Sequence, residues 1–347
     1  MKIIKHNKKL KNMENYNQKI ISSNPSVCFT EKMLVKCLGG YKKISDITTD
    51  DYVLTEDGSY QRVYSTQKTS YNSKLTGMKV YGINKTILST PDHPFLTKDR
   101  GYVKASEITH DDYLGIPLNK KEIFPTFSPD LDNILTNSDF WFLMGYFLGD
   151  GKIDEGIISI TIDDENMRNI PSTIGRTISL NPIKDDIKEK KYTMKILENN
   201  LIEFFSMFGG IGRERKIPDF IYDAPVIFVE KFLNGLVMSD GFLDTNGTTI
   251  STISHDVAYG VQLLYMKLGI RASIYSQKEN KIFTVNISKQ KNKSKKFIFD
   301  EKYLWLKIKD VKDVVDKKIG GFVYNLSVEN NNTYNVFNII NHNCNQN

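Results

Sequence analysis

The pattern of apolar and polar residues divides the chain into a polar N-terminal segment and three stretches of different texture. Residues 1–27 are charged, rich in asparagine and without periodicity, which is typical of a segment outside a folded core. From residue 28 to about 118, short runs of alternating apolar and polar residues are separated by turn residues such as Asp57 and Gly58. Short β-like runs return over residues 320–341. These two stretches are therefore predicted to be all-β.

Between the two β stretches, helical patterns alternate with strands. The segments 138–151 and 225–241 carry apolar residues on every side of a helix, which predicts two buried helices. A third helix is predicted over 254–270, with Gly269 as its C-terminal stop. Because the termini of inserted domains usually lie close together, the order β, α/β, β predicts an all-β domain that is interrupted by an α/β domain.

The composition agrees with two folded domains, and the cysteine count indicates a reducing cellular compartment. A chain of 347 residues with 40% apolar and 11% aromatic residues can form two cores of ordinary size. No apolar run approaches the roughly 20 residues of a membrane span, and the basic N-terminus lacks the apolar stretch of a secretory signal. Three cysteines, Cys28, Cys37 and Cys344, are an odd number in a large chain, which favours reduced thiols in the cytoplasm. The net charge of +6 is a weak indication of a polyanionic partner.

Two segments of the first β stretch repeat each other. KKISDITTDDYVL (residues 42–54) and VKASEITHDDYLG (residues 103–115) align without gaps and share Ser, Ile, Thr, Asp-Asp and Tyr. Repetition of this kind predicts one supersecondary unit used twice. A chance match in a sequence rich in lysine and aspartate would look the same.

The residues at the two ends of the folded stretch have complementary chemistry. The thiolate of Cys28 can attack the carbonyl carbon of Val27 and convert that amide into a thioester, and Cys344 supplies a second thiol that can take over the acyl group. The side-chain amide of Asn343 can attack its own carbonyl carbon, which closes a succinimide and breaks the following peptide bond. His342 can assist this cleavage by proton transfer. The sequence thus contains every group needed to excise the inner segment and join its two flanks.

A Thr-x-x-His pair adds a candidate general acid and a candidate residue for holding the peptide bond before Cys28. Thr90 and His93 lie three residues apart in LSTPDHPF, just after a predicted strand. His93 can protonate the amide nitrogen that departs from the Val27 carbonyl, and Thr90 can hold that peptide in a distorted geometry. Taken alone the pair is a weak signal, because a histidine beside a proline in a turn is more often a surface residue.

Together these motifs resemble the sequence blocks of inteins. CFTEKMLVKCLGGYKKISDITTDDYVL resembles the N-terminal splicing block, STPDHPF the Thr-x-x-His block, and VYNLSVENNNTYNVFNIINHNC the C-terminal block. The resemblance implies a horseshoe-shaped all-β splicing domain of the hedgehog/intein type with pseudo-twofold symmetry. It also implies a first nucleophile, two residues that assist the acyl shift, a penultimate histidine, a cyclising asparagine and a second nucleophile: Cys28, Thr90, His93, His342, Asn343 and Cys344.

Two positions depart from the intein pattern. Asn325 stands where an aspartate usually follows Val-Tyr, and Asn332 stands where a histidine is common. Each departure removes a titrating group, so we expect the coordination between the two cleavages to be slower or differently controlled. The groups that make and break bonds are kept.

The inserted stretch contains two related motifs. LMGYFLGDG (143–151) and LNGLVMSDG (233–241) share Leu, Gly and a final Asp-Gly, and each has two small residues four positions apart. Small residues one turn apart let two helix backbones approach closely, so the helices would bring Asp150 and Asp240 together. Neighbouring carboxylates need a cation, and hard oxygen ligands favour Mg²⁺, which suits hydrolysis of phosphodiesters by water. One such motif alone is more often a buried helix with an Asp-Gly stop.

The paired motifs resemble those of LAGLIDADG homing endonucleases. The resemblance implies an αββαββα-type fold with pseudo-twofold symmetry, a metal site at Asp150 and Asp240, and β-ribbons in the major groove of double-stranded DNA. RKIPDFIYDAP (215–225) resembles the block before the second motif and makes Lys216 a candidate for positioning water or stabilising charge. The lysine-rich run SKQKNKSKK (288–296) suits contacts with DNA phosphates, and a solvated loop explains it equally well.

The sequence therefore predicts a bifunctional intein. It would splice itself without a cofactor, and cut double-stranded DNA at its insertion site with Mg²⁺, as a cytoplasmic monomer whose other partners are its flanking host segments. An intein with a decayed, DNA-binding nuclease and a LAGLIDADG endonuclease with non-splicing flanks are the alternatives. The first conflicts with the intact Asp150 and Asp240, and the second leaves the terminal residues unexplained. The predicted domains are a flanking segment, a splicing domain in two pieces, an endonuclease domain and a second flanking segment: 1–27, 28–125 with 313–343, 126–312, and 344–347.

Overall fold

The computed structural model describes most of the chain, which divides into two compact units. The described residues are 27–163, 181–186, 191–196, 199–243, 245, 247–277, 281–288, 294–315, 321–330 and 332–343. Cys344 and most of the lysine-rich run lie outside them. We call the first unit, Met1–Val80 with Lys85–Pro117 and Trp305–Asn347, the β unit, and the second, Tyr81–Asn84 with Leu118–Leu304, the α/β unit.

The limits of the β unit differ from the predicted domain limits. Its first long part ends at Pro117 and its last part resumes at Trp305, both earlier in the chain than the predicted limits of 125 and 313. A long strand, Tyr303–Val314, runs through the second predicted limit and pairs with the strand Leu75–Val80, so its residues from Trp305 onwards join the β unit. The order of the units along the chain is β, α/β, β, and the finer limits stay predictions.

Short strands joined by tight turns form the β unit, as the alternating pattern predicts. They are β1 (Phe29–Thr30), β2 (Leu34–Cys37), β3 (Gly40–Lys43), β4 (Tyr52–Leu54), β5 (Tyr60–Ser70), β6 (Leu75–Val80), β7 (Ile87–Ser89), β8 (Pro94–Thr97), β9 (Gly101–Lys104), β10 (Tyr113–Pro117), β20 (Tyr303–Val314), β21 (Phe322–Val328), β22 (Thr333–Val336) and β23 (Ile339–His342). Their order is β10-β20-β6-β7-β1-β21-β5-β4-β2-β22-β23-β8-β9. Strands from the two ends of the unit therefore alternate in one ladder, and β1 lies between β7 and β21.

The two repeated segments fold as the same local unit. Each runs through a strand, a short 3-10 turn and a second strand, from β3 to β4 and from β9 to β10. In the first copy the backbone N–H of Thr48 donates to a carboxylate oxygen of Asp51 at 2.9 Å. In the second copy the N–H of Thr109 donates to Asp112 at 2.7 Å. The prediction of one supersecondary unit used twice is confirmed.

The α/β unit contains two four-stranded sheets and several helices. Its helices are α1 (Pro129–Leu135), α2 (Ser138–Asp150), α3 (Asn199–Ser206), α4 (Asp219–Asp223), α5 (Val226–Asp240) and α6 (His255–Lys267), and its strands are β11 (Gly151–Asp154), β12 (Ile157–Asp163), β13 (Asn181–Asp186), β14 (Lys191–Ile196), β15 (Gly241–Leu243), β16 (Gly247–Thr252), β17 (Ala272–Gln277), β18 (Ile282–Ser288) and β19 (Phe297–Phe299). The sheets have the corresponding orders β11-β12-β14-β13 and β15-β16-β18-β17. In the described part of the chain, no helix combines the length and apolarity of a membrane span.

Helices α2 and α5 pack backbone against backbone through their glycines. A Cβ atom added at Gly145 would overlap the carbonyl oxygen of Phe232, and one added at Gly235 would overlap the carbonyl oxygen of Phe142. The approach is this close because neither glycine has a side chain to separate the backbones. The predicted close approach of the two helices is confirmed, and both helices end at an aspartate, as the motifs indicate.

The seam between α2 and α5 makes Gly145 sensitive to substitution. We expect Gly145→Ala to destabilise the protein by about 3 kcal/mol or more, because the added methyl must push the helices apart in a packed core. Urea unfolding followed by tryptophan fluorescence measures this loss. The matched control is Asn234→Ala, which changes an exposed position of α5 next to the seam and should shift the midpoint little. Equal midpoints for the two variants would contradict the close packing.

Candidate functional site

Cys28 is held by its backbone just before β1. Its N–H donates to the hydroxyl oxygen of Thr90 at 2.9 Å. Its carbonyl oxygen accepts the backbone N–H of Thr90 at 2.9 Å and lies 3.3 Å from the Thr90 hydroxyl. The next residue, Phe29, pairs with Ser89 of β7 and with Tyr324 of β21. The peptide bond that joins Val27 to Cys28 is therefore fixed on the side of its nitrogen.

The thiol of Cys28 lies in an apolar environment. Cys28 is 1% exposed and belongs to a core cluster with Leu75 and Val323, against which Tyr71 and Val314 also pack. Burial of this kind keeps bulk water away from the sulfur, so a thioester formed there would be protected from hydrolysis.

His93 is fully buried and neutral. Its ring lies 4.1 Å from the ring of Phe29 and 5.1 Å from the ring of Phe95, measured between centroids. Removal from water lowers the pKa of His93 to about 3, an effect that a hydrogen bond with Asn341 opposes and the nearby His342 reinforces. The prediction allowed for a surface histidine, and the structure instead places this one in the core of the β unit.

The C-terminal strand reaches the same region. Strand β23 pairs with β22, and its Asn341 lies opposite Phe95 of β8. The side-chain oxygen of Asn341 lies 3.1 Å from Nε2 of His93. The stretch from Thr90 to His93 thus binds the backbone of Cys28 at one end and β23 at the other. Of the predicted residues, Cys28, Thr90 and His93 are brought together directly.

The last described residues place the candidate cleavage bond beside an imidazole. The N–H of Asn343 donates to the carbonyl oxygen of Asn332 at 2.8 Å. The carbonyl oxygen of Asn343 accepts a hydrogen bond from Nδ1 of His342, whose ring packs edge-on against Tyr102. Asn343 is 1% exposed, and its side-chain amide has no hydrogen-bond partner among the described residues. This amide therefore has no competing hydrogen bond within that part of the chain.

Sequence reasoning missed the role of Asn341 and of its neighbour across the strands. Asn341 is completely buried, and its amide nitrogen donates to the carbonyl oxygen of Tyr334 at 2.8 Å. The hydroxyl of Tyr334 donates to Asn325, the residue in place of the usual aspartate, at 3.1 Å. The available signal was an asparagine directly after the apolar pair Ile339-Ile340 in a predicted strand, where a buried polar side chain needs a partner.

In the α/β unit, Asp150 and Asp240 line one cavity. The cavity has a volume of about 500 Å³ and is also lined by Gly149, Gly151 and Arg215. A Cβ at Gly149 would lie 3.1 Å from the carboxyl carbon of Asp240, so the glycine leaves the space in which the ends of the helices meet. The predicted convergence of the two aspartates on one place is confirmed in this geometric sense.

Arg215, which sequence reasoning passed over, is the buried one of the two basic residues that line the cavity. Arg215 is 7% exposed, and its guanidinium lies 4.8 Å above the ring of Phe147 and donates to the carbonyl oxygen of Gly151. Lys216, the basic residue predicted from the sequence motif, follows it in the chain and is half-buried. The backbone N–H of Lys216 donates to the carbonyl oxygen of Phe208. The motif RKIP contains both cations, and only their surroundings in the fold distinguish them.

Burial and opposite charge shift the pKa values of Asp240 and Arg215 in this cavity. Loss of water around Asp240 raises the pKa of its carboxyl, and the charge of Arg215 partly opposes this. Burial in turn lowers the pKa of Arg215, and the negative charge of Asp240 partly opposes this effect. Within the described residues, no group of three His, Cys, Asp or Glu side chains is placed to bind a metal. Two carboxylates nevertheless fit Mg²⁺, which commonly takes one or two from the protein and its other ligands from water and phosphate.

Comparison with known proteins gives the family. The model of the intein splicing domain family matches residues 4–343, and the chain therefore belongs to this family. It is 25% identical over 279 residues to the ATP-dependent DNA helicase Hel308 of Methanocaldococcus jannaschii, covering 75% of this chain and 22% of that protein. It is 24% identical over 269 residues to the RNA polymerase subunit Rpo1C of the same organism, covering 67% and 31%. The chain spans less than a third of the length of these relatives.

Each of two solved structures covers less than half of the chain. A bacterial intein-like domain from Clostridium thermocellum is 25% identical and covers 25% of this chain and 65% of its own, with a TM-score of 0.24. The homing endonuclease I-DmoI is 17% identical and covers 44% of this chain and 89% of its own, with a TM-score of 0.34.

The burial of neutral His93 predicts an acid-sensitive β unit. The pKa of His93 is about 3 in the folded protein and about 6.5 for an unfolded histidine. Above pH 6.5 both states are neutral, and as the pH falls towards 3 only the unfolded state binds the proton, so stability is lost. Between pH 7 and pH 5 we expect the free energy of unfolding of His93→Gln to fall by about 2 kcal/mol less than that of the parent. Urea unfolding at the two pH values measures this difference. Exposed His110→Gln is the control, and a parental pH dependence in His93→Gln would contradict the burial of a neutral imidazole.

Proposed function

We propose that this chain is an intein that excises itself and joins its flanks. The observation that carries the proposal is the double contact of Thr90 with Cys28, combined with the bond from His93 to Asn341. One turn of four residues thereby connects the first bond to be broken with the strand that leads to the last one. The predicted horseshoe shape and pseudo-twofold symmetry of the splicing domain belong to this proposal.

The first step is an acyl shift at Cys28. Its sulfur attacks the carbonyl carbon of Val27, the bond from that carbon to the Cys28 nitrogen breaks, and the thiol proton ends on the nitrogen. The Thr90 hydroxyl holds the N–H of the breaking bond throughout. His93 is neutral at the start, so it must first take up a proton in the reaction before it can act as the predicted donor.

The later steps use the C-terminal residues. The thiolate of Cys344 attacks the thioester, and the bond from the carbonyl carbon to the Cys28 sulfur breaks, so Cys28 leaves as a thiolate and the N-terminal flank is carried on Cys344. The amide nitrogen of Asn343 then attacks its own carbonyl carbon, and the bond to the Cys344 nitrogen breaks. His342 stabilises the oxygen of that carbonyl through Nδ1. The freed amine of Cys344 finally takes the acyl group from its own sulfur, which leaves an ordinary peptide bond. No step needs a cofactor.

The masses of the products test splicing. Expression of the chain should yield a peptide in which Val27 is joined to Cys344, together with the excised segment from Cys28 to Asn343. Cys28→Ala removes the first nucleophile and should abolish ligation, and Asn343→Ala should stop the reaction at the branched thioester. Mass spectrometry distinguishes these species.

Buried Cys37 is the matched control for the first nucleophile. Desolvation raises the pKa of its thiol to about 12, so it does not supply a thiolate near neutral pH. Cys37→Ala should therefore splice. Ligation that survives Cys28→Ala, or a parent chain that never yields the joined product, would refute the proposal.

We also propose that the α/β unit is a LAGLIDADG-type endonuclease that cuts double-stranded DNA at the insertion site of the intein. The support is the convergence of Asp150 and Asp240 on one cavity at the end of a glycine seam. These carboxylates would hold Mg²⁺, which supplies an activated water and neutralises charge on the phosphate. Arg215 would stabilise negative charge at the same place, with Lys216 as the candidate from the sequence motif. The predicted β-ribbon contacts with the major groove are part of this proposal.

The two carboxylates give a direct test of the nuclease. We expect Asp150→Asn and Asp240→Asn each to lower cleavage of DNA that spans the uninterrupted insertion site by at least about a hundredfold, because each removes a charged metal ligand. Cleavage is measured by gel electrophoresis with Mg²⁺ and with EDTA. Unaltered cleavage in both variants would show that the carboxylates have another role.

Arg215→Met and Lys216→Met form a matched pair of variants that tests which of the two cations stabilises negative charge during DNA cleavage. The cavity geometry predicts the larger loss of cleavage for Arg215→Met, and the reverse order would favour the sequence motif. DNA that is bound without being cut, in the parent with Mg²⁺, would favour an intein whose nuclease has decayed.

A further inference from the structure

A fully buried asparagine is aimed at the histidine of the proposed splicing site. Asn341 lies on β23 opposite Tyr334 of β22, with no exposed surface. Its amide nitrogen donates to the backbone carbonyl of Tyr334 at 2.8 Å, and its amide oxygen lies 3.1 Å from Nε2 of His93. Both ends of the amide are therefore occupied by buried partners.

The orientation of this amide determines which nitrogen of His93 has the proton. A backbone carbonyl can only accept, so the NH₂ group of Asn341 must face Tyr334 and its oxygen must face His93. That oxygen also only accepts, so Nε2 of His93 must be the donor. A neutral imidazole has one N–H, which leaves Nδ1 with a bare lone pair. Nδ1 is buried and has no hydrogen-bond partner among the described residues.

We propose that Asn341 is a positioning residue that holds His93 in the tautomer with the proton on Nε2 and a free lone pair on Nδ1. The inference rests on the proposed splicing function of the β unit. In this tautomer His93 starts as a base. Nδ1 takes the proton that leaves the Cys28 thiol as sulfur attacks Val27, and gives it to the Cys28 nitrogen as the amide bond breaks. The proton is conserved, and no other reactant is needed.

The geometry also connects the two ends of the reaction. Asn341 immediately precedes His342 and lies on the strand that ends at the second cleavage bond. Among the titratable groups of these elements, His342 at the end of β23 acts on the charge of His93, while Cys28 before β1 acts on Tyr334 of β22. Displacement of β23 would remove the acceptor from Nε2, so the first step requires the C-terminal strand to be in place.

The same strand pair offers a matched control. Asn335 on β22 is also completely buried and lies opposite Ile340. Neither atom of its side-chain amide has a hydrogen-bond partner among the described residues. Replacing either asparagine by leucine changes a buried side chain in the same sheet, and a contact with His93 is described for Asn341 alone.

Trapping of the thioester tests the inference in the full chain. An Asn343→Ala background prevents the second cleavage, and hydroxylamine then releases the N-terminal flank at a rate set by thioester formation. We expect Asn341→Leu to slow release by at least about tenfold and Asn335→Leu by less than about twofold, because only the first removes the acceptor of the base. Asn341→Asp keeps an acceptor but stabilises a charged imidazole, so release should be slow at low pH and recover as the pH rises.

Nitrogen NMR of histidine-labelled protein reads the tautomer directly. The chain has five histidines, and His93→Gln assigns the relevant signals. In the Cys28→Ala chain, which does not splice, we expect a bare nitrogen at Nδ1 and a protonated one at Nε2, and with Asn341→Leu added we expect both tautomers. Parental release rates together with nitrogen shifts that Asn341→Leu leaves unchanged would overturn the inference.

Two further outcomes keep the inference separate from the function on which it rests. If the parent forms no thioester, the splicing proposal fails, and the nitrogen shifts then decide the role of Asn341 on their own. If Asn341→Leu does not fold, the nearly isosteric Asn341→Asp decides, and release without any new pH dependence would overturn the inference.

Discussion

The β unit depends on the hydrogen bonds that the segment from Thr90 to His93 makes with its first strand region, at Cys28, and with its last strand, at Asn341. Thr90 holds the N–H and the carbonyl of Cys28, and His93 bonds to Asn341. The registers of the flanking strands leave no freedom in this arrangement, because Phe29 pairs with Ser89 at one side of the segment and Phe95 pairs with Asn341 at the other. Slipping either strand by one residue would turn its buried side chains to the other face.

This arrangement leaves buried polar atoms, among them Nδ1 of His93, without a hydrogen-bond partner in the described part of the chain, which costs stability. His93 is neutral in an apolar environment, and the Asn343 amide has no partner among the described residues. An unsatisfied buried amide costs about 1–3 kcal/mol. In the proposed splicing reaction these same groups react, because a lone pair or an amide nitrogen without a competing hydrogen bond can attack.

The α/β unit forms its cavity in a different way, through the close approach of two helix backbones. Gly145 and Gly235 let α2 and α5 pack without side chains between them, and the ends of the helices then place Asp150 and Asp240 at one cavity. The proximity of the carboxylates follows from the seam, and the raised pKa of Asp240 follows from the removal of water there. A helix pair with larger residues at the seam would separate the two aspartates and lose the site.

The sequence by itself determined the local structure and the list of reactive groups. Alternating runs predicted the strands, the repeated segments predicted a supersecondary unit used twice, and the small residues predicted the seam between the helices. Each of these is a short-range pattern with a direct steric or periodic cause. The tertiary structure alone decided which neighbours each reactive group has. Asn341 became the partner of His93, and Arg215 rather than Lys216 entered the cavity. These contacts join residues far apart in the chain, and burial and hydrogen-bond geometry between such residues have no signature in local sequence.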